Sequence, residues 1–527
     1  MNGFDVYNQS VARLSRRGLF RLIGAFGATA CLPTLASCDR LTSFMSKNDP
    51  FTLGVASGDP SPDGVVIWTR LAPDPLNGGG MPTLQVAVDY EVAEDEAFRT
   101  IVQTGKAIAR PELGHAVHVE LAGLRPYRHY WYRFFLRDAV SPIGRTRTAP
   151  AQASLVNHLR FGACGCANYE AGYFNAYRLM AEEAFDFIYH SGDYIYEGSH
   201  RDGRRKGRVR QHRGGELYTL VDYRNRYALY KTDPDLMAAH ASAPFIVSWD
   251  DHEVDNDWAA DFDQDGTPPE LFLLRRAAAY QAYYEHMPLR RRSLPTPVHL
   301  QLYRQINFGR LLSLNVLDTR QYRSNQVCRG GYLEACPDRF DPHRSLLGLH
   351  QESWLFEQLA TSKATWNVLA QQVPMFSLDQ AAAGLGRYHM DKWDGYDATR
   401  ERLFKTLEQQ GTANPVILSG DVHTHWAADV KARPDDPASA NLGTELTVSS
   451  ITSGGDGSAE LDFWQAIRTD NPQIHYHSNR RGYIASDVTK DGWTADFKTV
   501  RSVTRRDVSA ETGQIAIIEA GLHRLQT

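Results

Sequence analysis

Five stretches of this 527-residue chain share one design: an apolar run built like a buried strand, ending abruptly. They are FDFIYHSGDYIYE (185–197), APFIVSWDDHEVDN (243–256), GRLLSLNVLDTRQYR (309–323), TWNVLAQQVPM (365–375) and NPVILSGDVHTHW (414–426). In open α/β sheets the ligand crevice lies outside the carboxyl ends of the strands. A fold that aligns these runs gathers Asp193, Tyr196, Asp251, His252, Asp421, His423 and His425 at one edge. A single apolar run ending in an acid means little. Three that deliver Asp, His and Tyr together point to a metal-centred site, because neighbouring acids repel one another unless a cation sits among them.

Two regions differ in pattern. Between residues 50 and 148, short alternating runs such as GVVIWTR (64–70), LQVAVDYEV (84–92), HAVHVEL (115–121) and YRHYWYRFFL (127–136) are separated by turn residues. Such spacing predicts an all-β sandwich. The stretch 141–154 reads as a linker. From 155 to 522 the pattern becomes strand–helix–strand, with helical spacing in 171–184, 268–287 and 350–362, which predicts an α/β core.

The apolar content of 42% and charged content of 23% are those of a globular chain, and the net charge of −5 gives no reason to expect nucleic-acid binding. One basic stretch, RDGRRKGRVRQHR (201–213), reads as a solvated loop or as a rim that steers anionic substrates. Residues 1–38 read as a targeting segment. Arg16-Arg17 precede an apolar stretch too short to span a membrane, and Leu35-Ala36-Ser37-Cys38 looks like a lipobox. Expected, therefore, are handling by the twin-arginine export machinery and a periplasmic or cell-envelope location. Lipidation at Cys38 would anchor the chain to the inner membrane. In that compartment disulfides are permitted, and CRGGYLEAC is of a length to close a small loop between Cys328 and Cys336. Asp261, Asp263 and Asp265 open like a calcium loop, but Phe272 stands where the closing Glu belongs, so the segment reads as a polar loop.

Carboxylate and imidazole suit zinc, iron or manganese, and carboxylate also suits calcium. The ordered motifs C-A-N-Y-E-A-G-Y-F, G-D-Y-I-Y-E, W-D-D-H-E-V-D-N, L-D-T-R-Q-Y-R, L-A-Q-Q-V, W-D-G-Y and L-S-G-D-V-H resemble those of the PhoD-type alkaline phosphatases and phosphodiesterases. That family is related to the purple acid phosphatases within the calcineurin-like metallophosphoesterases. The resemblance implies a four-layer α/β/β/α core behind an Ig- or fibronectin-like sandwich. It also implies Fe³⁺ and Ca²⁺ as metals, with Mn, Zn or Co as possible substitutes.

By motif, Cys166 matches the family's cysteine ligand to iron, with neighbouring Cys164 a rival. Asp193 matches the carboxylate shared between iron and calcium, Tyr196 the phenolate on iron, and His423 the iron-bound His. Asp251 and Asp421 stand where the purple acid phosphatases have Asn and His, which hardens the second site toward calcium, and Asn256 is a further oxygen donor. His252 is then the proton donor to the leaving group. Arg320 or Arg323 either forks onto phosphate oxygens or pairs with Asp318. With the sequence ending at GLHRLQT, any lid that relatives build from that region is expected to be reduced. The implied enzyme is a monomeric phosphoric ester hydrolase acting on small phosphorylated substrates through attack of metal-bound hydroxide. The alternatives are a phosphodiesterase or phospholipase for lipid headgroups, and a non-catalytic, metal-stabilised surface binding protein.

Overall fold

The computed structural model describes residues 49–199, 208–334, 336–381, 386–433, 436 and 438–526. The twin arginine, Cys38 and most of the basic cluster at 201–206 lie outside the described residues. The fold is mixed α/β and rich in sheet. Leu159–Cys164, Phe187–His190 and Phe245–Val247 are adjacent and parallel, with Phe187 beside Phe161 and Ile188 beside Phe245. They sit in the middle of a ten-stranded sheet. A seven-stranded sheet has a parallel centre made of Leu312–Val316, Trp366–Ala370, Pro415–Ser419 and Asn441–Thr447. Phe187–His190, Leu312–Val316, Trp366–Ala370 and Pro415–Ser419 are buried along their whole length, which explains why they read as apolar runs.

One apolar cluster joins the two sheets. It includes Phe161, Phe187 and Tyr189 from the first, and Leu312, Leu314, Trp366, Val368 and Val416 from the second. The Phe187 ring stacks on Phe161 at 4.6 Å and on Phe308 at 4.5 Å, tying the sheets through dispersion contacts. Helices pack against both sheets. Asn175–Glu182, Leu220–Lys231, Pro234–Ser242 and Pro269–His286 place residues in the cluster on the first sheet. Leu349–Thr361 and Asp397–Gln410 do the same on the second. At the carboxyl edges the sheets are stitched by hydrogen bonds. Ser248 Oγ donates to the Leu317 carbonyl (3.0 Å), and the Gln372 amide donates to Ser248 Oγ (2.8 Å).

The N-terminal region is more closely integrated than its sequence suggests. Val55–Ser61 pairs in parallel with Phe245–Val247, so Val55–Ser61, Gly64–Arg70 and Ala116–Glu120 extend the ten-stranded sheet. A five-stranded sheet containing Val86–Ala93, Ile101–Ala109 and His129–Leu136 packs on them through Val65, Ile67, Val88, Val92, Tyr132 and Phe134. The segment read as a linker supplies one of its strands, Gly144–Arg147. A parallel partner nearly two hundred residues away leaves no trace in local periodicity, which is why this continuity was invisible in the sequence. The Cys328–Cys336 disulfide is formed as expected.

Candidate metal centre

Cys166, Asp193 and Asp250-Asp251 follow the three adjacent parallel strands within four residues, so strand alignment alone brings them to one edge. Asp421 and His423 follow Pro415–Ser419 of the second sheet. Ligand atoms of Cys166, Asp193 and His423 all lie within 4.8 Å of one another. The Tyr196 hydroxyl is 2.9 Å from Asp193 Oδ2 and 3.0 Å from His423 Nε2, which completes a thiol–carboxyl–phenol–imidazole set. The carboxylates of Asp250, Asp251 and Asp421 form a second set, again within 4.8 Å. Asp193, Asp251 and His252 form a third group of the same span, so Asp193 stands between the two sets.

Four of these residues have left-handed backbones although none is glycine: Cys166 (φ 56°), Asp193 (53°), Asp421 (66°) and His423 (58°). That conformation is uncommon outside glycine and concentrates at functional sites. Glu253 holds the loops in place. Its buried carboxylate accepts the N–H groups of Asp193 (3.1 Å), Tyr194 (2.6 Å) and Asp250 (2.9 Å), fastening two strand ends together.

Burial pushes the Asp193 carboxyl up to about 8; His252 opposes the shift, and the charges of Asp251 and Asp421 add to it. Burial, then the Asp193 charge, likewise raises the Cys166 thiol and the Tyr196 phenol well above their usual ranges. His423 is lowered to about 3, by burial and then by Arg481, which keeps its imidazole neutral as a metal ligand requires. Asp250 Oδ2 is buried without a hydrogen-bond partner. A cation reverses these costs, because it ionises the thiol and acids it binds. The donors fit two ions: a mixed sulfur, nitrogen and oxygen set around Cys166, and an all-oxygen set around Asp251.

His252 is only 18% exposed, and its Nδ1 lies 2.6 Å from Glu197 Oε2. Burial disfavours the charged ring, but Glu197, then Asp251 and Asp193, outweigh it and hold the imidazolium well above its ordinary range. Arg320 is fully buried. Its guanidinium is 2.5 Å from Asp250 and 3.1 Å from Asp391, with longer approaches to Asp421 (3.4 Å) and Asp251 (3.7 Å). Arg323 reaches Asp391 instead. Asp318, the alternative partner to phosphate for these arginines, accepts the backbone N–H groups of Arg320 and Gln321. Asn256 lies at the edge of the site: its N–H donates to Glu197 and its amide to Gln264. Cys164 packs in the helix-side core, leaving Cys166 as the thiol beside Asp193. His425, placed at the edge by the sequence pattern, is buried, and its Nδ1 accepts the Ser449 N–H.

Sequence reasoning missed Glu197, Glu253, Asp250, Asp391, Lys392 and Ser453. The first three lie inside quoted motifs, and Asp391-Lys392 immediately precede W-D-G-Y. Lys392 pairs with both Asp391 and Asp421. Ser453, whose hydroxyl is 2.6 Å from the Tyr196 oxygen, had no signal. The acids of the calcium-like loop serve the chain itself: Asp263 accepts the Thr267 N–H and Asp261 pairs with Arg276.

The family pattern described as PhoD-like phosphatase matches residues 161–497, and that of the PhoD-like phosphatase N-terminal domain matches 37–150. Alkaline phosphatase D of Bacillus subtilis (strain 168) is 47% identical over 464 residues, which is 88% of this chain and 80% of that protein. A solved structure described as "Structure of PhoD" superposes with a TM-score of 0.89 at 46% identity, covering 91% of this chain and 92% of the other. Fold and relatives together define a phosphoric ester hydrolase of mixed α/β architecture. More narrowly, the chain belongs to the PhoD-like phosphatase family.

Proposed function

We propose that the chain is an exported, metal-dependent phosphoesterase of the alkaline phosphatase D type, hydrolysing phosphate monoesters, diesters or both. The observation that carries the proposal is Asp193, a buried carboxyl that belongs to the mixed-donor set and also lies within 4.8 Å of a ligand atom of Asp251 in the oxygen-only set. Cys166, Asp193, Tyr196 and His423 would hold Fe³⁺; Asp193, Asp251 and Asp421 would hold Ca²⁺, with Asn256 a further oxygen donor. The domains are a signal at 1–38, a sandwich at 50–148 and a catalytic domain at 155–522. The catalytic domain is read as four layers, supported by the apolar cluster between the sheets and by the helix-side clusters beyond each.

Bound ions would supply positive charge to the phosphoryl oxygens and lower the pKa of water. The chain's own groups do the rest. Glu197 engages His252 Nδ1, so Nε2 carries the proton delivered to the departing alkoxide. Arg320 balances the carboxylates and is the arginine close enough to share a phosphate oxygen with them; Arg323 acts through Asp391. A purely metal-stabilised binding protein would have no use for a buried imidazolium held by its own carboxylate.

Turnover of p-nitrophenyl phosphate and bis-p-nitrophenyl phosphate by the purified chain, with and without chelator, tests the function. At least one substrate should be hydrolysed, and chelation should stop it. Hydrolysis unaffected by thorough metal removal, or no hydrolysis of either by metal-replete protein, would contradict it.

Export rests on Arg16-Arg17 and Cys38, and no helix among the described residues is long and apolar enough to cross a membrane. Lipidated Cys38 would hold the chain at the inner membrane, so Cys38→Ala should move active enzyme into the soluble periplasmic fraction or leave an uncleaved precursor. Wild-type protein that is fully soluble, with its N-terminus elsewhere than Cys38, would refute anchoring and leave the catalytic proposal standing.

A further inference from the structure

Near Asp391 lies a small two-stranded ribbon, one strand of which sits in the loop closed by the Cys328–Cys336 disulfide. Inside the closed loop, Tyr332–Leu333 pairs antiparallel with Tyr388–His389, and Tyr332 stands directly opposite His389. Alternation along a strand sends neighbouring side chains to opposite faces. Leu333 and Tyr388 pack inward on Val327, Cys336 and Met390. Tyr332 belongs to no such cluster and is 44% exposed, with its ring edge-on to His389 at 4.3 Å. The guanidinium of Arg387 stands 5.6 Å from the same ring.

The ribbon is fastened to the site from both of its segments. His389 Nδ1 accepts the Asp391 N–H (3.2 Å), and Asp391 is the carboxylate that binds Arg320, Arg323 and Lys392. Gln326, two residues before the first cysteine, donates to Asp391 Oδ1 (2.8 Å) and to the Asp257 carbonyl (2.6 Å). The Met390 N–H closes on the Gly331 carbonyl at 2.8 Å. An exposed tyrosine gains little for folding. Tethered by a covalent loop and set against His389, which adjoins Asp391, it offers a flat face at small entropic cost to a group bound there.

We propose that Tyr332, backed by His389, is the subsite for the organic substituent of the phosphoester, and that it selects planar, ring-bearing groups over small alkyl ones. Substituents projecting from a phosphoryl group held at Asp251 and Asp421 would meet the tyrosine face, with Arg387 beside it. The subsite rests on the phosphoesterase function proposed above and adds substrate class to it.

The test compares the affinities of phenylphosphonate and methylphosphonate for the full, metal-replete chain by calorimetry. Wild type should favour phenylphosphonate. Tyr332→Ala should reduce the phenyl-to-methyl affinity ratio about tenfold, the scale of one lost aromatic stacking contact. Tyr332→Phe should retain the ratio, because the ring face and not the hydroxyl is used. The double variant Cys328→Ser/Cys336→Ser, which frees the loop, should also lower it. An unchanged ratio in Tyr332→Ala, or no binding of either phosphonate, would overturn the subsite. A ratio that responds as expected in a protein that hydrolyses no phosphoester would keep the subsite and remove the enzymatic function.

Discussion

Asp193→Asn should lower kcat on any phosphoester by about three orders of magnitude, the several kcal/mol that metal-ion charge stabilisation supplies to phosphoryl transfer. In the proposed assignment this one carboxyl holds both ions, so the substitution should deplete both together and not one alone. The loss should not come from unfolding. In the metal-free chain the Asp193 carboxyl is raised to about 8, from an ordinary value near 4. The folded value is the higher one, so proton release favours the unfolded state, and the metal-free fold loses stability as pH rises from about 4 through about 8. Asparagine cannot ionise and removes that penalty. Metal-free Asp193→Asn should therefore melt at or above the temperature of metal-free wild type at pH 8, while metal-loaded wild type melts higher than either. Thermal melts and elemental analysis of the same samples check this. A variant that retains one ion at full occupancy would show that Asp193 is not shared.

His252→Ala has the second-largest expected effect, and it depends on the substrate. A positioned general acid contributes roughly 10²–10⁴-fold, and most where the leaving group is poor. The variant should lose about that factor in kcat on an alkyl phosphate and far less on p-nitrophenyl phosphate, with metal content unchanged. The pH dependence follows from the partners of the ring. Once cations occupy the donor sets, Asp193 and Asp251 no longer favour the imidazolium, whereas Glu197, outside both sets, still does. The acid form exists below the raised pKa, so turnover of alkyl phosphates should fall as pH rises through it. Glu197→Gln should move that fall to lower pH. Equal losses on both substrates, together with lost metal, would make His252 a ligand instead.

The central strands and the residues that close them were legible because a buried parallel strand leaves a continuous apolar run and stops where the chain turns outward. Asp193, Tyr196, Asp251, Asp421 and His423 each follow such a run, and the structure brings all five together. The partners of those residues were not legible. Glu253 acts by tying its own loop to the backbone N–H groups of the Asp193 loop, and Asp391 acts through arginines some seventy residues away, so neither pairing is visible locally. Arg320 and Arg323 illustrate the limit. Their spacing is the same in a phosphate fork and in a buried ion pair, and only the tertiary fold reveals Asp250 and Asp391 against them. The helices Leu220–Lys231 and Pro234–Ser242 were missed for another reason: tyrosines and charged residues blur the apolar stripe of the first, and the second is short.

The most direct measurement is the metal content of the purified chain, determined together with its visible absorption. Cys166 and Tyr196 present anionic donors suited to Fe³⁺, and Asp251 and Asp421 present oxygen donors suited to Ca²⁺. Wild type should contain both elements in stoichiometric amounts and be coloured by phenolate-to-iron charge transfer, and Tyr196→Phe should lose the colour. Stoichiometric zinc with neither iron nor calcium, in a colourless protein that hydrolyses phosphoesters at full rate, would contradict the assignment of the two donor sets.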